Sequence, residues 1–315
     1  MGIETKFKFK SKAASLLVGV SMLAMSSTAS GLETLPEDKS MSGMKIELVG
    51  RDDLWTYKSC DNYNESPLTK SYVDAGKLPP VNERMPKEPW MAKTDQMVDG
   101  IGEYGGTFRH VIGGRPEGFN WLAGQSQGWG GINIQLMESL TRLGPLWQIK
   151  PDEANPLPNL AKDWEWSSDR KSLTMNLIEG ARWSDGDIFD TEDIDFWWND
   201  NVQDANVASR LPKDALGAGT TLEILGPYSF KFNFDEPKGN AVLAQLAYMG
   251  GAPGPSHVMK PLHPAHNSDA TYESYANGMP ASVLPIVTLG AYVPVVHKVD
   301  ELMVCLLYTS PSPRD

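Results

Sequence analysis

Gly124-Gln125-Ser126-Gln127-Gly128 is the short pattern in this chain with the most obvious chemical reading. G-x-S-x-G presents a serine nucleophile on a sharp turn, with a buried apolar strand before it and a helix after it. Neither support is evident. Phe119-Asn120-Trp121-Leu122-Ala123 is a poor strand, and Trp129-Gly130-Gly131 delays any helix. His257, His263, His266 and His297 lie downstream and would have to complete a triad. A five-residue match in Gly-rich sequence arises cheaply, so it reads as a flexible loop with no catalytic residue. A serine hydrolase using Ser126 stands as the alternative of another class.

Metal chemistry has two candidates. His257, His263 and His266 fall within ten residues, near Met259. Pro261 and Pro264 break helical spacing between them, and no carboxylate sits at a ligand-like interval, so a solvated loop is expected. Asp185, Asp187, Asp190, Glu192 and Asp193 form an acidic run. It lacks the sixth-position Gly and twelfth-position Glu of a calcium loop. A turn followed by an acidic helix N-terminus accounts for it, because carboxylates there meet the positive end of the helix dipole. No G-x-x-x-x-G-K-[ST] loop is present to cradle a nucleotide phosphate. No metal or cofactor is therefore expected. The ten Trp residues could stack on sugar rings, but Trp164, Trp166, Trp183, Trp197 and Trp198 suit core packing better.

The elements that would position these groups are clearest between Pro158 and Trp198. Asp163–Ser167 alternates, with Trp164 and Trp166 on one side, as a half-buried strand does. Ser168-Asp169-Arg170-Lys171 is a polar turn, and Ser172–Ile178 alternates again as a partner strand. Arg182-Trp183-Ser184-Asp185-Gly186 turns the chain, and Asp190 or Thr191 can cap a helix. On that helix Ile194, Trp197, Trp198 and Val202 share a face.

This run resembles the signature of the family 5 extracellular solute-binding proteins, the periplasmic receptors of peptide-type ABC importers. The pattern is met by Pro158, Leu160, Ala161, Trp164, Ser167, Asp169, Thr174, Leu177, Gly180, Trp183, Ser184, Asp185, Gly186, Thr191, Asp193 and Ile194. Ile178 and Glu192 depart from it, at positions where Arg and Ala are usual. Gly102–Arg109, the helical stripe Ile132, Leu136, Met137, Leu140 and Leu143, and Leu289–Val293 are similar to further parts of that family. The resemblance covers about Gly102 to Glu301. It implies an α/β fold with mixed sheets, of the two-lobed periplasmic-binding-protein type, here truncated to lobe I plus its inserted subdomain.

The ends of the chain carry separate expectations. Lys6, Lys8, Lys10 and Lys12, an apolar Ala13–Met25 and the small residues Ser27-Thr28-Ala29 have the order of a cleavable signal peptide, so the mature protein is expected in the periplasm. Residues 304–315, running Val304 to Asp315 with a Ser/Pro-rich end, are expected to be a non-native tail. Family members run to about twice this length, so the chain is expected to hold half of a receptor. The net charge is −12, and −15 without residues 1–30, which argues against nucleic acid as a partner. Cys60 and Cys305 are the two cysteines, and pairing between them is left open.

The expected organisation is a signal peptide over 1–29 and an N-terminal extension over 30–100. Lobe I follows in a first segment over 101–145 and a return segment over 241–303, with an inserted subdomain over 146–240. Within it Thr221–Leu225 and Ser229–Phe234 read as a hairpin turned at Gly226-Pro227, and Asn240–Met249 as a short helix. By the resemblance, the ligand is a peptide or similar oligomer, with an oligosaccharide as alternative. The partners are ABC permease subunits, the protein is a monomer, and no chemical step is involved. The residues expected to face ligand are Gly113, Gly114, Asn120, Trp121, Gln125 and Trp129, with Tyr248 on a second wall that runs to Gly254.

Overall fold

A computed structural model describes residues 48–57, 63–93, 114, 117–125, 133–143, 149–150, 153, 156–247, 249–278, 286–298 and 302–307. In chain order these residues hold helix α1 (Arg51–Leu54), strand β1 (Trp55–Tyr57), α2 (Lys70–Asp74), α3 (Val81–Arg84), β2 (Trp90–Ala92), α4 (Asn133–Leu136), β3 (Thr141–Arg142), β4 (Leu157–Pro158), β5 (Ala161–Trp166) and β6 (Ser172–Leu177). Then come α5 (Thr191–Asp195), a π-helix (Phe196–Val202), β7 (Thr221–Gly226), β8 (Ser229–Asn233), α6 (Ala241–Leu246), α7 (Ser256–Met259), α8 (Tyr272–Ala276), β9 (Tyr292–Lys298) and β10 (Leu302–Leu307).

The alternating segments make the principal sheet, an antiparallel array in the order β5-β6-β8-β7. Leu173, Met175 and Leu177 of β6 and Phe230 and Phe232 of β8 are buried on one face, as period-two alternation requires. Trp164 and Trp166 of β5 pack at its edge. The β5–β6 turn is held by Asp169, whose Oδ1 accepts from Ser167 Oγ at 2.6 Å and Lys171 N at 3.0 Å. Arg170 adopts φ 59° there, and its side chain is well used. The guanidinium lies 4.1 Å from the Trp166 ring centroid, and Nε donates to the Lys238 carbonyl at 2.8 Å.

The buried face of the sheet is covered by α5 and the π-helix. Asp190 is the N-cap, its Oδ1 accepting from Glu192 N at 2.7 Å within a capping box completed by Asp193. Ile194, Trp197, Trp198 and Val202 are all buried, and Trp198 meets Phe232 with ring centroids 4.9 Å apart. The helix widens after Asp195. Gln203 N donates to the Trp198 carbonyl at 2.9 Å, five residues back. That wider turn lets Phe196, Trp197, Trp198 and Asn201 all point inward.

Two expectations need correcting. The stripe Ile132–Leu143 does not continue as one helix. The helix α4 ends at Leu136, and Thr141–Arg142 is a strand paired with Leu157–Pro158. Leu136, Met137 and Leu140 are buried as the stripe requires, but Leu143 is exposed. Polar groups of this segment are claimed by other partners, however. Leu140 N donates to the Gly251 carbonyl at 3.0 Å and Thr141 Oγ1 to the Leu243 carbonyl at 2.6 Å. The segment holding His257, His263 and His266 is not a solvated loop either. It forms α7 and a 3₁₀ turn over Lys260–Leu262, and His263 is 0% exposed.

Strand β10 pairs antiparallel with β9 and runs through position 304 to Leu307. Cys305 on it is half-buried, and burial pushes its thiol up to about 11; Cys60 lies outside the described residues. Among the described residues, no helix is long and apolar enough to cross a membrane.

Candidate functional site

The described parts of the two segments expected to face ligand pack against each other. The loop 117–125 packs on 250–254 and on the C-terminal end of α8. Asn120 is 0% exposed, and its Nδ2 donates to the Tyr275 carbonyl at 2.6 Å while Oδ1 accepts from Ala123 N at 3.2 Å. Trp121 is 3% exposed, with its indole N–H on the Pro253 carbonyl at 3.2 Å. Gln125 folds back, its Oε1 accepting from Asn120 N at 3.2 Å and its Nε2 donating to Asn277 Oδ1 at 3.3 Å. Gly124 closes the turn at φ 77°, and a Cβ there would come within 2.1 Å of the Ala208 carbonyl oxygen. No side chain can replace it without moving backbone.

Asn120 and Trp121 thus point into the protein, and Gln125 sits at the loop's outer edge. Gly114 is half-buried. Gly113, Trp129 and Tyr248, like Ser126, lie outside the described residues.

The signature residues build the frame behind this loop. Asp193 is 1% exposed and accepts from Trp183 Nε1 at 2.9 Å and, at its other oxygen, from Ser256 N at 2.8 Å. Burial pushes its carboxyl above the ordinary range, and the donated N–H groups only partly counter this. Ser184 exchanges two bonds with Thr288, Ser184 N to the Thr288 carbonyl at 2.9 Å and Thr288 N to Ser184 Oγ at 3.0 Å. The Trp-Ser-Asp-Gly turn therefore ties the sheet to α7 and to the segment leading into β9. Sequence reading missed this use of Asp193. The signal was its three-residue spacing from a capping Asp190, which turns it inward.

The histidines each face a carboxylate of the signature half. His257 lies between Asp185, at 2.8 Å from Nε2, and Asp187, at 3.0 Å from Nδ1. Burial opposes its charge, but the two carboxylates outweigh that and hold its pKa above the usual histidine value. His266 Nε2 meets Asp200 Oδ2 at 2.9 Å. His263 is enclosed by the rings of Phe196, Tyr272 and Tyr275, the last at 4.5 Å between centroids. Its Nδ1 accepts from Ala265 N at 3.1 Å, which places the proton on Nε2. Burial holds His263 below the usual value. Among the described residues, no three His, Cys, Asp or Glu side chains converge on a common metal position. An open cavity of about 630 Å3 lies beside the signature turn, with Glu83, Lys87, Arg182 and Asp185 in its lining. None of its described lining residues is aromatic.

Comparison with known proteins gives this arrangement its context. Residues 155–306 match the model of the bacterial extracellular solute-binding proteins, family 5, middle part. The chain is 46% identical over 295 residues to the periplasmic alpha-galactoside-binding protein of Rhizobium meliloti (strain 1021), covering 92% of this chain and 42% of that protein. It superposes with a TM-score of 0.77 and 45% identity on the periplasmic binding protein MelB of Agrobacterium fabrum C58, solved with stachyose, over 84% of this chain and 40% of that one. An oligopeptide-binding protein OppA matches with a TM-score of 0.58 and 25% identity, over 80% of this chain and 38% of that one. The fold is that of the periplasmic binding proteins. The chain belongs to the family 5 solute-binding proteins, and it spans 42% of the length of the curated relative it matches.

Proposed function

We propose that this chain is part of the periplasmic substrate-binding component of an ABC importer, and that its ligand is an oligosaccharide of the α-galactoside class. The observation that carries this is the 46% identity to an alpha-galactoside-binding protein across nearly the whole chain. The sequence reading put peptides first and oligosaccharides second. The order is reversed here because the similarity to a protein solved with stachyose is far higher than that to an oligopeptide-binding one. Capture is not followed by chemistry, and Ser126 is assigned no catalytic role.

A sugar receptor needs an indole face for the apolar side of a pyranose and polar groups for its hydroxyls. Among the described indoles, Trp121, Trp183, Trp197 and Trp198 are buried, Trp164 and Trp166 are half-buried against the core, and Trp55 faces Trp90 with ring centroids 5.0 Å apart. Trp129, four residues beyond Gln125 in the sequence, is the stacking residue in this proposal. Titration calorimetry with stachyose and with an oligopeptide tests the reading. Heat of binding from stachyose alone, weakened at least tenfold by Trp129→Ala, is the expected result. Binding of the peptide and not the sugar overturns it.

A further inference from the structure

The loop expected to carry ligand is held by a partner more than a hundred residues away. Asn120 sits at its centre, fully buried, and uses each of its polar groups internally. Its Nδ2 reaches the Tyr275 carbonyl at 2.6 Å, its Oδ1 receives Ala123 N, and its backbone N–H and C=O close a ring with Gln125. Tyr275 is itself fixed from the opposite side. Its hydroxyl donates to Asn201 Oδ1, and Asn201 Nδ2 donates to the Phe196 carbonyl at 2.9 Å. Its ring packs on His263. A second tie, Gln125 Nε2 to Asn277 Oδ1, joins the loop's far end to the same segment. A continuous line of buried hydrogen bonds thus runs from the π-helix through α8 to the loop.

We propose that Asn120 is a positioning residue, not a ligand contact: through the Tyr275 carbonyl it locks the loop 118–125 to α8 and the π-helix, and so sets where Gln125, at the loop's outer edge, presents itself to ligand. This rests on the proposed function for its consequence, but not for its geometry. An amide suits the task because one side chain must donate to a carbonyl and accept from an N–H at once. The π-helix suits it because the widened turn brings Asn201 inward to meet Tyr275. Buried polar groups satisfied on all sides specify one arrangement, since any other leaves one of them unpaired.

Hydrogen exchange on the full chain, wild type against Asn120→Ser, tests the lock. Ser is smaller and cannot span to the Tyr275 carbonyl. Amides of Trp121, Gly124 and Gln125 are expected to exchange about tenfold faster, while those of Ala161–Leu177 keep their wild-type rates. Tyr275→Phe serves as a second variant. It keeps the carbonyl but cuts the bond to Asn201, and the same loop amides should accelerate by a smaller factor. Loop rates unchanged in both variants, or equal acceleration across the sheet, overturns the proposal. Stachyose titration of the same samples reads the consequence. Asn120→Ser should bind about tenfold more weakly. Unchanged affinity with a loosened loop overturns the positioning role. A wild-type chain that binds no oligosaccharide overturns the functional reading instead, and the exchange comparison still decides the lock.

Discussion

At Asp193 a single carboxylate joins three parts of the chain, and its cost and use can be separated by pH. It accepts N–H groups from Trp183, Ser256 and Asp190, the last at 3.4 Å, in a site that water does not reach. Asp193→Asn keeps one acceptor oxygen and turns an NH2 toward a donor. A loss of about 1–3 kcal/mol is expected in urea unfolding near pH 5. The pH dependence has a definite sign. Burial raises the folded pKa above 3.8, so the folded state holds this proton more tightly than the unfolded state. Its contribution to stability is full below the unfolded value and falls as pH rises through the folded one. The gap between wild type and Asp193→Asn should therefore narrow from acid toward neutral pH. A gap that widens would mean that the hydrogen bonds, not burial, govern this group.

At the scale of elements, the helix covering the sheet begins where its capping residue says it must. Asp190→Ala removes the acceptor for Glu192 N and should cost about 1 kcal/mol, read as a shift in the urea midpoint with unchanged slope. This start was legible because a capping side chain acts within three residues. So were β5, β6, β7 and β8, where alternation and polar turns are local signals. The break after Leu136 was not, because it depends on carbonyls of Gly251 and Leu243 about a hundred residues away. The π-helix was not, because adjacent Trp197 and Trp198 read equally well as one edge of an α-helical face. The candidate site shows the same division. A Gly-rich loop with Asn and Trp reads as ligand-facing, and its φ-positive Gly124 is local. Whether Asn120 and Trp121 point out or in is decided by Tyr275 and Pro253, 155 and 132 residues on.

Across the whole molecule, the segment from His257 to Tyr272 docks on the signature half through charged and titratable pairs: His257 on Asp185 and Asp187, Lys260 on Glu192, His266 on Asp200, and Tyr272 on Asp204. Two histidines of this segment, His257 and His263, pull stability in opposite directions. The folded pKa of His257 is raised by its carboxylates, so its contribution is full below the ordinary histidine value of 6.5 and is lost as pH rises through the folded pKa. His263 is held neutral by burial, among Asp200, Asp204, His266, Tyr272 and Tyr275, and its folded pKa is lowered. It favours the fold at neutral pH, and that contribution is lost as pH falls below 6.5. The wild type should then show a shallow pH profile between 5 and 7.5 in which the two terms partly cancel. His257→Gln should lose up to about 0.5–1 kcal/mol at pH 5.5 and almost nothing at pH 8.5, a small effect because its partners are half exposed. His263→Asn keeps an acceptor for Ala265 N and removes the buried titration. It should be less stable than wild type at pH 7.5, by about 1–3 kcal/mol for the lost ring packing, yet decline less steeply on acidification. Thermal melts of the three proteins across that range decide the matter. If His263→Asn declines as steeply as wild type, acid sensitivity arises elsewhere in the chain. If His257→Gln loses equally at both pH values, its ring matters to this docking as a packed group and not as a charge.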